Sequence, residues 1–190
     1  MFAFIITVFA TAKLADRLPK DAGRDFAHDG KLSAGKPRGA GIIFVLAFVL
    51  AALLFAPLKP EMIIYLILIG ISMMTGFLDD ASKMPWGEYK KGFLDLCVAA
   101  LVAMTYLKYN PNTIELALFG IEVTIPKVLF AILIVILVWV SVNVTNCSDG
   151  VDGLSGTLTI ITIMTIYVLT RALERGEDFS VLILIFAVCI

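Results

Sequence analysis

Seven apolar runs divide the chain, and they constrain its fold more than any other feature. A helix that crosses a bilayer needs about 20 consecutive, mostly apolar residues. Of the 190 residues, 60% are hydrophobic and only 16% are charged, whereas soluble domains typically contain about 45–50% apolar and about 25% charged residues. We therefore predict an all-α polytopic membrane protein with seven transmembrane helices. The predicted helices are Met1–Leu18, Ala40–Leu58, Met62–Leu78, Phe93–Leu107, Lys127–Val144, Gly156–Thr170 and Phe179–Ile190.

The two ends of the chain each need an interpretation. The first run contains Ala-x-Ala at Ala10–Ala12, as a secretory signal peptide does, but no basic region precedes it, so we favour a membrane helix. The last run is still apolar at Ile190, so we expect the natural protein to continue. The chain is then a single membrane-embedded domain, residues 1–190, truncated at its C-terminal end. Its net charge of −1 gives no sign of a nucleic-acid partner.

Loop charges predict the orientation in the membrane. The odd-numbered loops between the predicted helices carry nine Lys and Arg residues, and the even-numbered loops carry five. Cytoplasmic loops are enriched in these residues, so the odd-numbered loops are assigned to the cytoplasm. The fourth loop then lies on the outer face. Its β-forming residues around Phe119-Gly120 predict a small β-hairpin near 113–125.

Adjacent acids end the third predicted helix in the stretch GFLDDASK, as Asp79 and Asp80. Neighbours on a helix point about 100° apart, so we do not expect both carboxylates to chelate one ion. Separate roles fit better, one near a metal and one accepting a proton. The alternative is a helix end that meets water. Carboxylates at a helix C-terminus oppose the macrodipole, however, and this unfavourable placement favours a functional interpretation.

A polar stripe recurs every three residues where the fifth helix ends, as Asn143, Asn146, Asp149 and Asp152. Amide and carboxylate oxygens suit Mg²⁺, which also binds substrate phosphates. Three alternatives compete: two glycosylation sequons, a calcium loop and an Asp-Gly turn. The predicted cytoplasmic position argues against glycans, and the EF-hand spacing is missing. A turn does not explain Asn143, which lies inside the apolar run, where polar residues are costly.

Cations and glycines accompany these acids. Gly-rich backbone beside cationic side chains at a helix N-terminus suits phosphate oxygens, and the candidates for binding substrate phosphates are Lys36, Arg38, Lys83 and Lys91. The alternative is the enrichment of positive residues in cytoplasmic loops, which needs no ligand.

The motifs together resemble the polyprenyl-phosphate N-acetylhexosamine-1-phosphate transferase superfamily, and in particular its bacterial phospho-MurNAc-pentapeptide transferase branch. The DDxxK motif of that family is matched by Asp79, Asp80 and Lys83, and its NxxNxxDGxDG motif by Asn143, Asn146, Asp149, Gly150, Asp152 and Gly153. The lysine that opens the next helix is matched by Lys91. The first-loop pattern that favours this branch is matched by Asp29, Gly30, Ser33, Pro37 and Gly41. The usual Thr-Pro-Thr-x-Gly-Gly is replaced by KPRGAG at 36–41.

The resemblance implies a ten-helix fold and a Mg²⁺-dependent transfer of phospho-MurNAc-pentapeptide from UDP-MurNAc-pentapeptide to undecaprenyl phosphate. The products are lipid I and UMP, in peptidoglycan synthesis at the cytoplasmic face of the bacterial cytoplasmic membrane. Asn146 and Asp149 would bind Mg²⁺, with Asp149 also catalytic. Asp79 or Asp80 would accept the proton of the lipid phosphate or otherwise position that phosphate. Phosphate oxygens would be bound by Lys83 and Lys91, and the nucleotide pocket lined by Asn143 and Asp152.

Two further functions and one question of assembly stay open. An undecaprenyl-phosphate GlcNAc-1-phosphate transferase would share the same motifs. A cation-coupled secondary transporter or channel is the alternative from another class. Transporter sites usually lie near the bilayer midplane within inverted repeats, whereas these acids cluster at loop edges and no repeat is visible. The oligomeric state is also open, with a homodimer among the options.

Overall fold

The computed structural model of the protein describes residues 1–21, 34–82, 84, 86–116, 119–148, 153–173 and 177–190. Seven α-helices and one hairpin lie within these residues. In chain order they are α1 Phe2–Leu14, α2 Gly41–Phe55, α3 Pro60–Asp80, α4 Glu88–Tyr109, β1 Thr113–Leu116, β2 Ile121–Thr124, α5 Lys127–Ser148, α6 Leu154–Ala172 and α7 Glu177–Cys189. Each predicted apolar run therefore forms a helix.

Four of the described helices are long and apolar enough to cross a membrane: α3, α4, α5 and α6. Helices α2 and α7 are apolar but shorter, with 15 and 13 residues. The prediction of a mostly helical protein with helices apolar enough to span a membrane is confirmed. The number of seven transmembrane helices stays a prediction.

Two helices stop short of their predicted ends, and a proline follows each of them. Helix α1 ends at Leu14 and continues as a 3₁₀ turn at Ala15–Arg17, rather than reaching Leu18 as an α-helix. Helix α2 ends at Phe55 rather than Leu58. Leu18 and Ala56 each precede a proline and have extended backbone, with ψ of 154° and 143°. A residue before proline is pushed out of the helical region because the proline ring clashes with its backbone.

Helices α4 and α5 are longer than predicted. Helix α4 begins at Glu88 rather than Phe93, after an extended Gly87, and α5 ends at Ser148 rather than Val144. An apolar run marks the part of a helix that suits the bilayer, whereas the backbone hydrogen bonds that define a helix continue into water. The hydrophobic pattern therefore underestimates both helices at the ends that carry the candidate site.

The residues divide into two compact units. The first comprises Met1–Leu58, Met73–Trp86 and Gly156–Ile190. Within it, α2 packs against α1 and α7. The ring of Phe48 lies edge-on to Phe186, with centroids 4.9 Å apart. Ala51 and Ala52 on α2 are fully buried, as expected because small residues let membrane helices approach closely.

The second unit comprises Lys59–Ser72 and Gly87–Ser155, and its main contact is between α4 and α5. Ala99 and Ala103 of α4 are buried, and their spacing of four residues puts both on one helix face. The ring of Tyr106 lies 5.9 Å from that of Phe130 on α5. The prediction of a single domain is not tested by this division and stays a prediction.

The predicted hairpin is confirmed in this second unit. Strands β1 and β2 pair antiparallel, with Thr113 opposite Thr124 and Leu116 opposite Ile121. Gly120 in the turn has a positive φ of 61°, which glycine adopts without steric cost. The base is closed by the Asn112 side chain, whose Nδ2 donates to the Ile125 carbonyl at 2.6 Å. The membrane face on which the hairpin lies stays a prediction.

Candidate functional site

The acid pair forms the last two residues of α3, and its two carboxylates have different partners. Asp79 Oδ1 accepts a hydrogen bond from the backbone N–H of Trp86 at 2.7 Å. The Asp79 carbonyl accepts the N–H of Ser82 at 3.1 Å, and the Ser82 hydroxyl donates to the Leu78 carbonyl at 2.7 Å. Asp79 therefore ties the end of α3 to the segment that follows it.

Asp80 instead faces the segment that enters α2. Its Oδ1 lies 3.0 Å from Arg38 Nη2, and the two side chains are 27% and 37% exposed. Gly39 has a positive φ of 72°, and a Cβ on it would lie 3.0 Å from the Phe77 ring and 3.6 Å from Asp80 Oδ2. The backbone at Gly39 thus lies directly against the last turn of α3. A side chain at this position would disturb the contact.

A short pairing of backbone segments holds Arg38 in place. We call residues 19–21 and 35–38 the clasp. Lys20 and Pro37 form an antiparallel bridge, and the Arg38 N–H donates to the Pro19 carbonyl at 2.8 Å. The Asp21 N–H donates to the Lys36 carbonyl at 2.9 Å. The clasp fixes the backbone of two predicted phosphate-binding residues, while the Lys36 side chain stays exposed.

The polar stripe begins on a helix. Because α5 continues to Ser148, Asn143 and Asn146 are both helical. Asn143 Nδ2 donates to the Trp139 carbonyl one turn earlier at 2.8 Å, and Asn146 is exposed. The first two residues of the stripe therefore lie on one continuous helix.

Asn143 also lies at the edge of a groove of about 510 Å³ between α4 and α5. The Trp139 indole donates to the Gly92 carbonyl at 2.8 Å and so links α5 to the first turns of α4. The remaining lining residues are Glu88, Tyr89, Phe93 and Leu96. The sequence did not predict this groove, because a tryptophan in a membrane helix gives no sign of which backbone carbonyl its indole N–H will meet. Lys91, next to Gly92, is half-buried in the first turn of α4.

The structure brings Arg38 to Asp80, and it places Asn143 on the groove. Three predicted site residues, Lys83, Asp149 and Asp152, lie outside the described residues. Within the described part of the chain, no group of three or more His, Cys, Asp or Glu side chains is arranged to hold a metal ion. The predicted metal ligands are the Asn146 amide and the carboxylate of Asp149, which lies outside the described residues. The metal site therefore stays a prediction.

Comparisons with known proteins identify relatives. A family model described as glycosyl transferase family 4 matches residues 62–190. A phospho-N-acetylmuramoyl-pentapeptide-transferase of Treponema pallidum is 41% identical over 140 residues, which cover 70% of this chain and 38% of the relative. The protein of the same name from Fervidobacterium nodosum is 30% identical over 159 residues, covering 78% of this chain and 49% of that relative. The chain thus matches less than half the length of these relatives. The resemblance predicted from the motifs is confirmed.

Proposed function

The chain belongs to glycosyl transferase family 4, and from this premise we propose that its protein transfers phospho-MurNAc-pentapeptide from UDP-MurNAc-pentapeptide to undecaprenyl phosphate. The products are lipid I, for peptidoglycan synthesis, and UMP. An oxygen of undecaprenyl phosphate attacks the phosphorus that carries the sugar. The bond from that phosphorus to the bridging oxygen breaks, and UMP leaves with the bridging oxygen.

The acid pair at the end of α3 is the observation that carries the proposal. Both reactants are anionic, so catalysis of phosphoryl transfer depends on positioning and on charge neutralisation. Asp79 accepts a hydrogen bond from a neutral backbone N–H, and Asp80 lies against a guanidinium. Two carboxylates with different surroundings suit two different tasks. One accepts the proton of the lipid phosphate, and the other orients the attacking group.

The remaining predicted residues complete the proposed site. Lys36, Lys83 and Lys91 bind phosphate oxygens, while Asn143 and Asp152 line the nucleotide pocket. The side-chain amide of Asn146, exposed near the end of α5, is a hard oxygen donor of the kind that Mg²⁺ prefers. Together with the catalytic Asp149 it would hold the ion. Bound Mg²⁺ would neutralise charge on the diphosphate of the donor.

The proposed setting is the bacterial cytoplasmic membrane. The four long apolar helices support insertion in a bilayer, and we propose that α1, α2 and α7 also cross it, for seven spans in all. The excess of Lys and Arg in the odd-numbered loops supports a site on the cytoplasmic face. A lipid acceptor in the bilayer and a water-soluble nucleotide donor would then meet at the membrane surface.

The test is an assay of the intact protein in detergent for UMP release, with UDP-MurNAc-pentapeptide, undecaprenyl phosphate and Mg²⁺. We expect release that requires both substrates. UDP-GlcNAc is the comparison donor, because KPRGAG at 36–41 departs from the usual pattern of the branch and so leaves the sugar to be tested. Turnover of UDP-GlcNAc alone would reassign the sugar to the GlcNAc-1-phosphate transferases. No release from any UDP-sugar, together with cation flux into liposomes, would replace the transferase by a transporter.

A further inference from the structure

We propose that Arg38 is a positioning residue, which sets the orientation of the Asp80 carboxylate, rather than a direct ligand of substrate phosphate. This inference rests on the proposed function, because it concerns the acid pair of that site. It also revises the phosphate-binding role that the Gly-rich cationic segment before α2 suggested for Arg38.

The ion pair joins residues that are 42 positions apart in the chain. Arg38 Nη2 lies 3.0 Å from Asp80 Oδ1, and both side chains are partly withdrawn from solvent. A guanidinium presents its N–H donors in a rigid plane and therefore fixes the direction of a carboxylate as well as attracting it. A lysine would supply the same charge with less directional control.

Both backbones of the pair are restrained. On one side, the clasp fixes Arg38 through its N–H bond to Pro19, and Gly39 lies against the Phe77 ring. On the other side, Asp80 is the last residue of α3. The guanidinium and the carboxylate are therefore held together by the fold on either side of them. An arginine that only bound substrate phosphate would not need to be held against an acidic side chain.

The helix end gives the physical reason for such a partner. A carboxylate at the C-terminus of a helix meets the negative end of the macrodipole. Asp79 is restrained there by the Trp86 N–H. Arg38 offers Asp80 a compensating charge and a fixed direction. Each acid thus has its own restraining donor.

The two roles predict different kinetics. Loss of a phosphate ligand weakens substrate binding and raises KM, whereas misorientation of a catalytic carboxylate lowers kcat with little change in KM. The test variant is Arg38→Gln in the intact protein, assayed for UMP release at varied concentrations of both substrates. Arg17→Gln is the matched control, because Arg17 is an exposed arginine in the 3₁₀ turn that precedes the clasp.

We expect Arg38→Gln to lower kcat by roughly tenfold to a hundredfold, since a misplacement of about 1 Å can cost about a hundredfold in rate. KM for both substrates should stay within about twofold of wild type, and Arg38→Lys should recover part of the loss. Arg17→Gln should match wild type. Thermal unfolding of each variant in the same detergent separates a kinetic effect from failure to fold. If Arg38→Gln does not fold, Arg38→Lys carries the same comparison of kcat with KM.

A double-mutant cycle with Asp80→Asn tests whether Arg38 acts through Asp80. Coupled residues have non-additive effects, so Arg38→Gln should cost less than about twofold in single-turnover UMP release once Asp80 is already changed. A raised KM with unchanged kcat, additive losses, or a fully active Asp80→Asn would overturn the inference while leaving the proposed function standing. A wild-type protein that releases no UMP from any UDP-sugar would overturn the proposed function itself, and with it the role of Arg38.

Discussion

The contact of Gly39 with the end of α3 allows a substitution test with a matched control. Gly39→Ala places a methyl group 3.0 Å from the Phe77 ring at a backbone φ of +72°. Gly35→Ala has a similar φ of +84° but meets nothing within 4 Å. The positive φ alone costs a non-glycine residue about 1–2 kcal/mol. The two variants therefore share the backbone cost and differ in the contact.

Overpacking of a well-packed contact costs about 1–3 kcal/mol. We therefore expect Gly39→Ala to lower the free energy of unfolding by about 2–5 kcal/mol, and Gly35→Ala by about 1–2 kcal/mol. The measurement is denaturant or thermal unfolding of both variants in one detergent, beside wild type. UMP release provides a second readout, because the displaced backbone carries Arg38 with it and away from Asp80.

Equal stabilities for the two variants would refute this reasoning. Such a result would mean that the backbone at Gly39 does not lie against Phe77, and the ion pair that depends on the same approach would lose its support. A Gly39→Ala protein that is destabilised but keeps wild-type kcat would instead separate the packing contact from the orientation of Asp80.

Three further predictions concern other parts of the chain. Asp149→Asn should abolish UMP release while the protein still inserts and keeps its unfolding temperature, and retained activity would remove Asp149 from the metal site. Trp139→Phe removes the indole N–H that bonds the Gly92 carbonyl and should lower the free energy of unfolding by about 0.5–1.5 kcal/mol; an unchanged unfolding curve would contradict that bond. Asn110→Ala removes a 2.5 Å hydrogen bond from its Nδ2 to Glu61 Oε1, and a hydrogen bond to a charged group contributes about 1.5–3 kcal/mol. The free energy of unfolding measured by chemical denaturation should fall by that amount, while UMP release stays at the wild-type rate.

Hydrophobic pattern predicted the helices well, because burial in a bilayer demands an apolar run about as long as the membrane is thick. It predicted their ends poorly. The apolar run of α4 begins at Phe93, yet the helix begins at Glu88. The charged residues between Glu88 and Phe93 do not have to be apolar, because they can lie outside the hydrocarbon layer, and they still make helical backbone hydrogen bonds. Proline ended α1 and α2 through a local steric effect that a window of mean hydropathy does not register.

The candidate site was predictable as a set of residue types but not as a set of contacts. The Gly-rich cationic segment suggested Arg38 and the DDxxK motif suggested Asp80, each from its neighbours in the chain. Their pairing depends on the clasp, which is made of backbone hydrogen bonds between Pro19 and Arg38 and between Asp21 and Lys36. Backbone bonds of this kind carry no side-chain pattern, so a contact that they create across 42 residues leaves no periodic signal.

The same contact gives a physical interpretation of the segment in which this chain departs from its family. KPRGAG at 36–41 replaces two threonines by cations, and the two cations have different surroundings. Lys36 is exposed beside the clasp, whereas Arg38 is half-buried against Asp80. A threonine at position 38 has neither the charge nor the length of an arginine to reach across to α3 as this side chain does. A protein with threonine there lacks this ion pair, so the departure at Arg38 brings with it the contact that we propose orients Asp80.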